Sequence, residues 1–278
     1  PDLAAAGLLA AALALLALAL VEGDDWGWTA PSTLAAFGAA ALLLAAVAVR
    51  GRRHPRPIVE PELFAGRAFR VGNLGTLLFS AAFFSIVLGN VLFLTSVWGY
   101  SVLTAGLAVL PGPVATTIVS GPAGRLADRV GHRAVVLPGA LLFAAGVLVL
   151  RSAGAEPDYV GTWLPGTALT GIGIGLAFPT LGAAAVRDVP DDRYATASAV
   201  NAAFRQIGAV LGTAILIAIV GDPASLAETL AVADRAYLFA ALAGALAGLV
   251  TLALGRPTAR PAPPATREDP AAAEPAVA

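Results

Sequence analysis

The chain has 278 residues, of which 58% are apolar and 13% charged, with a mean hydropathy of +0.81 and a net charge of −1. A soluble domain carries roughly 25% charged residues, so this chain lacks the polar surface to cover a core in water, and its balance of charge offers nothing to nucleic acid. With no Cys and two distant histidines, His54 and His132, it presents neither thiol chemistry nor the beginnings of a metal site.

A bilayer core takes roughly 20 mostly apolar residues per helix, and runs of that length recur along the chain. In order they cover residues 3–21, 31–49, 72–97, 103–123, 134–150, 163–186, 195–220 and 236–254. The expected fold is therefore all-α, with about eight transmembrane helices. The first run begins without a basic segment ahead of it, unlike a secretory leader. The sequence contains no Met, so Pro1 is expected to be internal to a longer product, with a mature end after signal cleavage as the alternative. After Gly255 the chain turns rich in Pro, Ala and charge, and residues 255–278 are expected to be a disordered tail.

The basic residues are all Arg, and they are not evenly placed. Arg50, Arg52, Arg53, Arg56, Arg67 and Arg70 separate spans two and three; Arg125, Arg129 and Arg133 separate four and five. Arg187 and Arg193 separate six and seven, and Arg256, Arg260 and Arg267 follow span eight. Only Arg151 and Arg235 fall in the opposite loops, beside Glu22, Asp24, Asp25, Glu156, Asp158, Asp222, Glu228 and Asp234. The positive-inside rule then puts the arginine-rich loops and both ends of the chain in the cytoplasm of a multi-pass cell-membrane protein. Trp26, Trp28, Trp98, Tyr100 and Trp163 gather near the outer ends, where an interfacial aromatic belt is expected. The last six spans divide into two triplets of opposite topology, as any six spans must, and as the 3+3 inverted repeats of many secondary transporters do.

Between spans four and five the chain reads Gly124-Arg-Leu-Ala-Asp-Arg-Val-Gly-His-Arg133. Gly124 and Gly131 permit tight turning. Asp128 can accept from the free N–H groups of a helix start, and Arg125, Arg129 and Arg133 can pair with carboxylates or lipid phosphates. The arginines alone are explained equally well as a positive-inside turn. The whole string resembles the G-x-L-A-D-R-x-G-x-R loop of the major facilitator superfamily, which lies between the second and third helices of each six-helix half. Further stretches resemble that family's fourteen-span drug:proton antiporters. These are Asp25-Trp-Gly-Trp28, Pro61-Glu-Leu-Phe64 with Arg67-Ala-Phe69, Gly99-Tyr-Ser101 with Ala105-Gly-Leu107, and Ala197-Ser198, Asn201 and Arg205-Gln206-Ile-Gly208. Thr95-Ser96 stands where glutamines are often found in that branch, which alters the substrate contacts expected there.

The resemblance implies a division of the chain. Residues 1–50 would be two extra transmembrane helices and 51–71 a basic cytoplasmic linker. Residues 72–254 would form the six-helix C-terminal half, with 255–278 the cytoplasmic tail. It also implies a partner: an N-terminal six-helix half, carrying the acidic first-helix site and antiporter motif, that lies outside this sequence. The motif residues Gly124, Arg125, Asp128, Arg129, Gly131 and Arg133 would form a cytoplasmic gating loop.

Span seven is the most informative for chemistry. At 100° per residue Asn201, Arg205, Gly208 and Gly212 fall within about 60° of one another, as one polar and small stripe. A mid-helix Arg costs roughly 2.5–3.5 kcal/mol to insert, which leaves two readings: it faces a protein- or water-lined cavity, or it snorkels to the headgroups. Asn90 and Gln206 are substrate-contact candidates with interhelical hydrogen bonding as the equal alternative. Gly171, Gly173, Gly175 and Pro179 fit close helix packing better than bending. Phe79, Phe83 and Phe84 fit a drug pocket or a lipid face alike.

The functional expectation is proton-coupled export of hydrophobic or cationic small molecules by alternating access. It needs membrane lipid, a small-molecule substrate and the proton gradient, and no cofactor, metal or nucleic acid. A carrier of a metabolite, sugar or peptide, and a non-transporting scaffold fragment, are the competing readings. An enzyme is disfavoured because no span holds a carboxylate pair, a His cluster or a Ser/His set.

Overall fold

The computed structural model describes residues 3–53 and 61–254. The expected disordered tail and residues 54–60 of the basic linker lie outside these. Among the described residues every regular element is helical: α1 (Leu3–Val21), α2 (Gly23–Trp26), α3 (Pro31–Arg53), α4 (Arg67–Ser96), α5 (Val102–Val109), α6 (Pro111–Val130), α7 (His132–Arg151), α8 (Leu164–Val186), α9 (Tyr194–Val220) and α10 (Leu226–Val250). Together they provide eight stretches long and apolar enough to cross a membrane.

Span three begins at Arg67 rather than at 72, so residues 67–71 of the expected linker are helical, and three further spans differ from the sequence expectation for local reasons. Span four is two helices rather than one, because Pro111 and Pro113 cannot donate to the preceding turn, and the chain closes α5 with a bond from Leu110 N–H to the Leu107 carbonyl. Span six begins earlier, with a π-helical turn at Tyr159–Trp163 capped by Asp158, which accepts from the Gly161 N–H at 2.9 Å. Span eight begins ten residues before position 236. Ser225 accepts from the Glu228 N–H, and the Glu228 carboxylate accepts from the Ala224 N–H at 2.8 Å. These two bonds cap the helix start, so Glu228, Asp234 and Arg235 ride on α10 and are not loop residues. Arg151, at the end of α7, then forms a bidentate pair with Asp234, Nε to Oδ1 at 2.6 Å and the second guanidinium nitrogen to Oδ2 at 3.0 Å.

The last six spans interlock rather than lying side by side as two triplets. Helix α4 packs on α9 and α10, and α8 packs on α6 and α7; α7 and α10 meet each other, as do α4 and α8. Exchanging α4 with α8, α6 with α9 and α7 with α10 maps this set of contacts onto itself, as a two-fold repeat of three helices requires. Helix α1 pairs with α3 and leans on α9.

Small residues make the interlock possible. Helices gain no hydrophobic force from one another in lipid, so they associate through close packing. Along α7 the positions 139, 143, 146 and 150 meet 177, 173, 170 and 166 of α8. At each level a glycine receives a larger residue: Gly173 receives Phe143, Gly146 receives Thr170, and Gly166 receives Leu150. The expected packing role of Gly171, Gly173 and Gly175 is what these contacts show, with Gly171 set against the Gly112 backbone of α6. Phe143 is fully buried, reached also by Gly244 of α10 and by Phe79 at a ring separation of 4.9 Å. Phe79 is therefore a core residue and faces neither lipid nor a pocket. The aromatic belt needs the same correction: Trp98 and Trp163 turn inward, packed with Phe93 and Tyr237, and Trp98 donates to the Gly154 carbonyl at 3.0 Å.

Replacing Gly173 or Gly212 by Val drives a methyl group into the backbone of Phe143 or Ala81. Each variant is expected to lose about 1–3 kcal/mol and much of its monodisperse yield in detergent. Gly121→Ala meets nothing within 4 Å and should unfold no earlier than the parent on heating.

Candidate functional site

Helices α4, α6, α8 and α9 line an open cavity of about 490 Å³. Thr76 of α4, Thr116 and Ser120 of α6 and Ser198 of α9 bring hydroxyls to it; Ile174, Phe178 and Pro179 of α8 give it an apolar wall. Asn201 and Arg205 complete the α9 side, and no Asp or Glu lines it among the described residues. A second cavity of about 350 Å³ adjoins it, sharing Thr116 and Ile174 and continuing along α4 past Phe83 to Asn90. The hydroxyl of Thr116 donates to the Gly171 carbonyl at 2.8 Å, which ties α6 to α8 at the junction.

The predicted stripe on α9 divides when placed in the bundle. Gly208 and Gly212 lie against the Leu77 and Ala81 backbone of α4, closer than any Cβ would allow. Asn201 follows them, its amide donating to Asn73 Oδ1 at 3.0 Å and Thr76 Oγ1 at 3.1 Å, while Asn73 donates back to the Phe69 carbonyl at 2.8 Å. Arg205 sits about 40° further round the helix than Asn201, on the side that lines the cavity. It is exposed at the cavity edge and makes no hydrogen bond or ion pair among the described residues. Its position is the twelfth of the 27 residues of α9, well inside the span.

The other candidates separate. Asn90 is buried in the second cavity and accepts from the Tyr237 hydroxyl at 3.1 Å, an interhelical tie between α4 and α10. Gln206 is exposed and lines neither cavity. Thr76, Thr116 and Ser120 belong to the site and were passed over in the sequence. The four-residue spacing of Thr116 and Ser120, and Ser198 three before Asn201, are the signals that would have found them.

The Gly124–Arg133 stretch is mostly helix. Helix α6 continues to Val130 and α7 begins at His132, so the turn between them is Gly131 alone, at φ +90°. That backbone suits glycine and little else. Gly124 is helical and turns nothing, and its missing side chain faces open space. Asp128 does not cap α7; no side chain does. Instead Asp128, Arg129 and His132 border a hollow of about 360 Å³ with Arg187 and Asp188 from the end of α8. The same end of the bundle is tied by Arg193, before α9, to Glu62, before α4, at 2.5 Å. Arg125, Arg129 and Arg133 are exposed.

Residues 73–277 match the family described as the Major Facilitator Superfamily. The chain is 31% identical over 217 residues to multidrug resistance protein Stp of Mycobacterium tuberculosis, covering 77% of this chain and 40% of that protein. It is 30% identical to the methylenomycin A resistance protein of Streptomyces coelicolor, over 74% of this chain and 43% of the relative. The puromycin resistance protein pur8 of Streptomyces alboniger is also 30% identical, over 73% and 41%. The chain spans about two-fifths of the length of these curated relatives.

Truncating Asn90 strands the buried Tyr237 hydroxyl, at a cost of about 1–3 kcal/mol. Asn90→Ala should therefore lower the unfolding temperature, and adding Tyr237→Phe should recover part of the loss. A purely substrate-binding Asn90 predicts no such recovery.

Proposed function

The chain belongs to the major facilitator superfamily, and from that membership we propose that it forms the C-terminal side of a drug-efflux carrier driven by the proton gradient. The carrying observation is Arg205: a guanidinium exposed in mid-span, at the rim of a hydroxyl-lined cavity that no carboxylate lines among the described residues. Left against lipid, such a residue costs roughly 2.5–3.5 kcal/mol. A second six-helix half laid over this face turns the rim into the wall of a closed midplane site, where a fixed positive charge acts at low dielectric. The resistance names of the relatives support drugs as the cargo.

In this reading the apolar wall of α8 receives the body of the substrate, and Thr76, Thr116, Ser120 and Ser198 orient its polar groups. Arg205 pairs with an acidic group of the opposing half when that group is ionised and is released when it takes up a proton, which couples proton entry to the change of access. The arginine-rich end of the bundle, where the α6–α7 turn meets the end of α8, faces the cytoplasm. There the Gly124–Arg133 stretch presents Asp128 and three exposed arginines to the opposing half as an inside gate, with helical Gly124 leaving room for its approach.

The test is drug export by the complete carrier, normalised to the amount in the membrane. Arg205→Ala should reduce export about ten-fold or more, the weight of one charge-assisted hydrogen bond. Arg205→Lys, which retains charge without the planar fork, should fall between Ala and the parent. Wild-type export in both variants would make Arg205 a snorkelling residue and remove it from the site.

A further inference from the structure

A third cavity, of about 310 Å³, lies at the opposite end of the bundle from the arginine-rich loops; it shares Ile86 with the second cavity and no residue with the Arg205 cavity. Its walls are α4, α9 and α10, and it opens where α9 and α10 stand apart; these two helices make only slight contact although they are consecutive in the chain. Leu216, Val232 and Ala236 make the sides apolar, and Phe93 presents a ring at the back. Gly89 of α4 keeps it deep: a Cβ there would meet only Leu216, at an ordinary 3.8 Å. Ser85 and Tyr237 bring polar side chains to the inner part, and at the mouth Asp222 stands exposed in the α9–α10 turn and pairs with no cation among the described residues.

The dimensions are those of one leaflet. From Ser85 to Ser96 the α4 wall runs about 16 Å at 1.5 Å per residue, and half of a bilayer's hydrocarbon core is about 15 Å. An acyl chain standing parallel to the helices would fill the crevice, and its headgroup would then lie level with Asp222. A carboxylate at that level selects an ammonium group and repels a purely anionic head.

We infer that the α9–α10 crevice is a binding site for one acyl chain of an aminophospholipid, with the headgroup ammonium held by Asp222. The occupant belongs to the leaflet that faces the Asp222 turn. It is distinct from transported cargo, because the crevice shares no residue with the Arg205 cavity. Such a lipid fills the gap between two helices that barely touch and holds α9, the helix that carries Arg205, in its seat on α4.

The experiment uses tryptophan quenching by brominated acyl chains. Phe93 links the crevice to Trp163 and Trp98, with ring separations of 5.6 and 5.8 Å. The full 278-residue chain carrying Trp26→Phe and Trp28→Phe is reconstituted in vesicles. These are doped with brominated phosphatidylethanolamine or with brominated phosphatidylglycerol. Quenching should favour the ethanolamine lipid by about two- to five-fold, the weight of one exposed ion pair, and Asp222→Asn should abolish that preference. Gly89→Leu, which fills the crevice from α4, should remove most of the quenching with either lipid. Ala233→Leu, which fills it from α10, should do the same if Gly89→Leu does not fold. Quenching that is unchanged in a folded filled variant overturns the site. Equal quenching by the two lipids in the parent overturns the role of Asp222. Loss of quenching on adding dodecyltrimethylammonium at concentrations far below the lipid would show a free alkylammonium ligand instead, and would overturn the lipid assignment.

Discussion

Helix α9 comes to rest on α4 at Gly208 and Gly212, where the backbones approach more closely than any side chain would permit. Most of what matters in this protein follows from that contact. Lipid tails are as apolar as the side chains they would exchange for, so nothing but close fit, aided by a few hydrogen bonds, holds one span to the next. With the two glycines pressed to α4, Asn201 is brought within reach of Asn73 and Thr76, and the rotation of α9 about its own axis is set. Arg205, one step round the helix, is then directed past α4 into the open cavity. A bulkier residue at position 208 or 212 would push α9 away, break the Asn201 bridge and turn the guanidinium elsewhere.

The same device recurs at the interface that the repeat relates to this one. Gly171 and Gly175 of α8 sit against Gly112 and Thr116 of α6, as Gly208 and Gly212 of α9 sit against Leu77 and Ala81 of α4. The two contacts exchange under the repeat relation that maps α4 on α8 and α6 on α9. Four helices thus surround the polar cavity as two glycine-seated pairs, while α7 and α10 close the back around Phe143. At the end away from the arginine-rich loops this back pair is held by Arg151 and Asp234, a partly exposed ion pair that contributes more to alignment than to stability.

Much of this was legible from the residues. Apolar runs of bilayer length gave the eight spans, and the placement of arginine separated the two ends of the bundle, because both are long, redundant signals. Short-range signals carried conflicts. Ser225 and Glu228 form a capping pair with helix-start spacing, but charge at 228, 234 and 235 argued for a loop; on α10 the charges are carried at the wet end of the helix and partly paired. The glycine of the Gly124–Arg133 string that turns is Gly131, and the string alone does not separate it from Gly124. Trp98 and Trp163 have the sequence position of interface residues, yet their rings fill the outer core against Phe93. Position along a helix is readable from one dimension; the direction a ring faces depends on neighbours from other helices. The cavity suffers the same limit, since Thr76, Thr116 and Ser198 come from three helices that only the interlock brings together.

The central claim is that the cavity beside Arg205 is a water-accessible transport site and not a crevice filled by lipid. The chain has no cysteine, so single cysteines introduced at Ser120 and Ser198, on opposite walls of the cavity, can be read without background. In the complete carrier, a membrane-impermeant thiol reagent applied from the cytoplasmic side should modify both, and an exported drug should protect both. Cysteine at Leu246, exposed on α10 away from the cavity, should resist the reagent with or without drug. Cavity positions that behave like Leu246, unreactive from either side and indifferent to drug, would contradict the account.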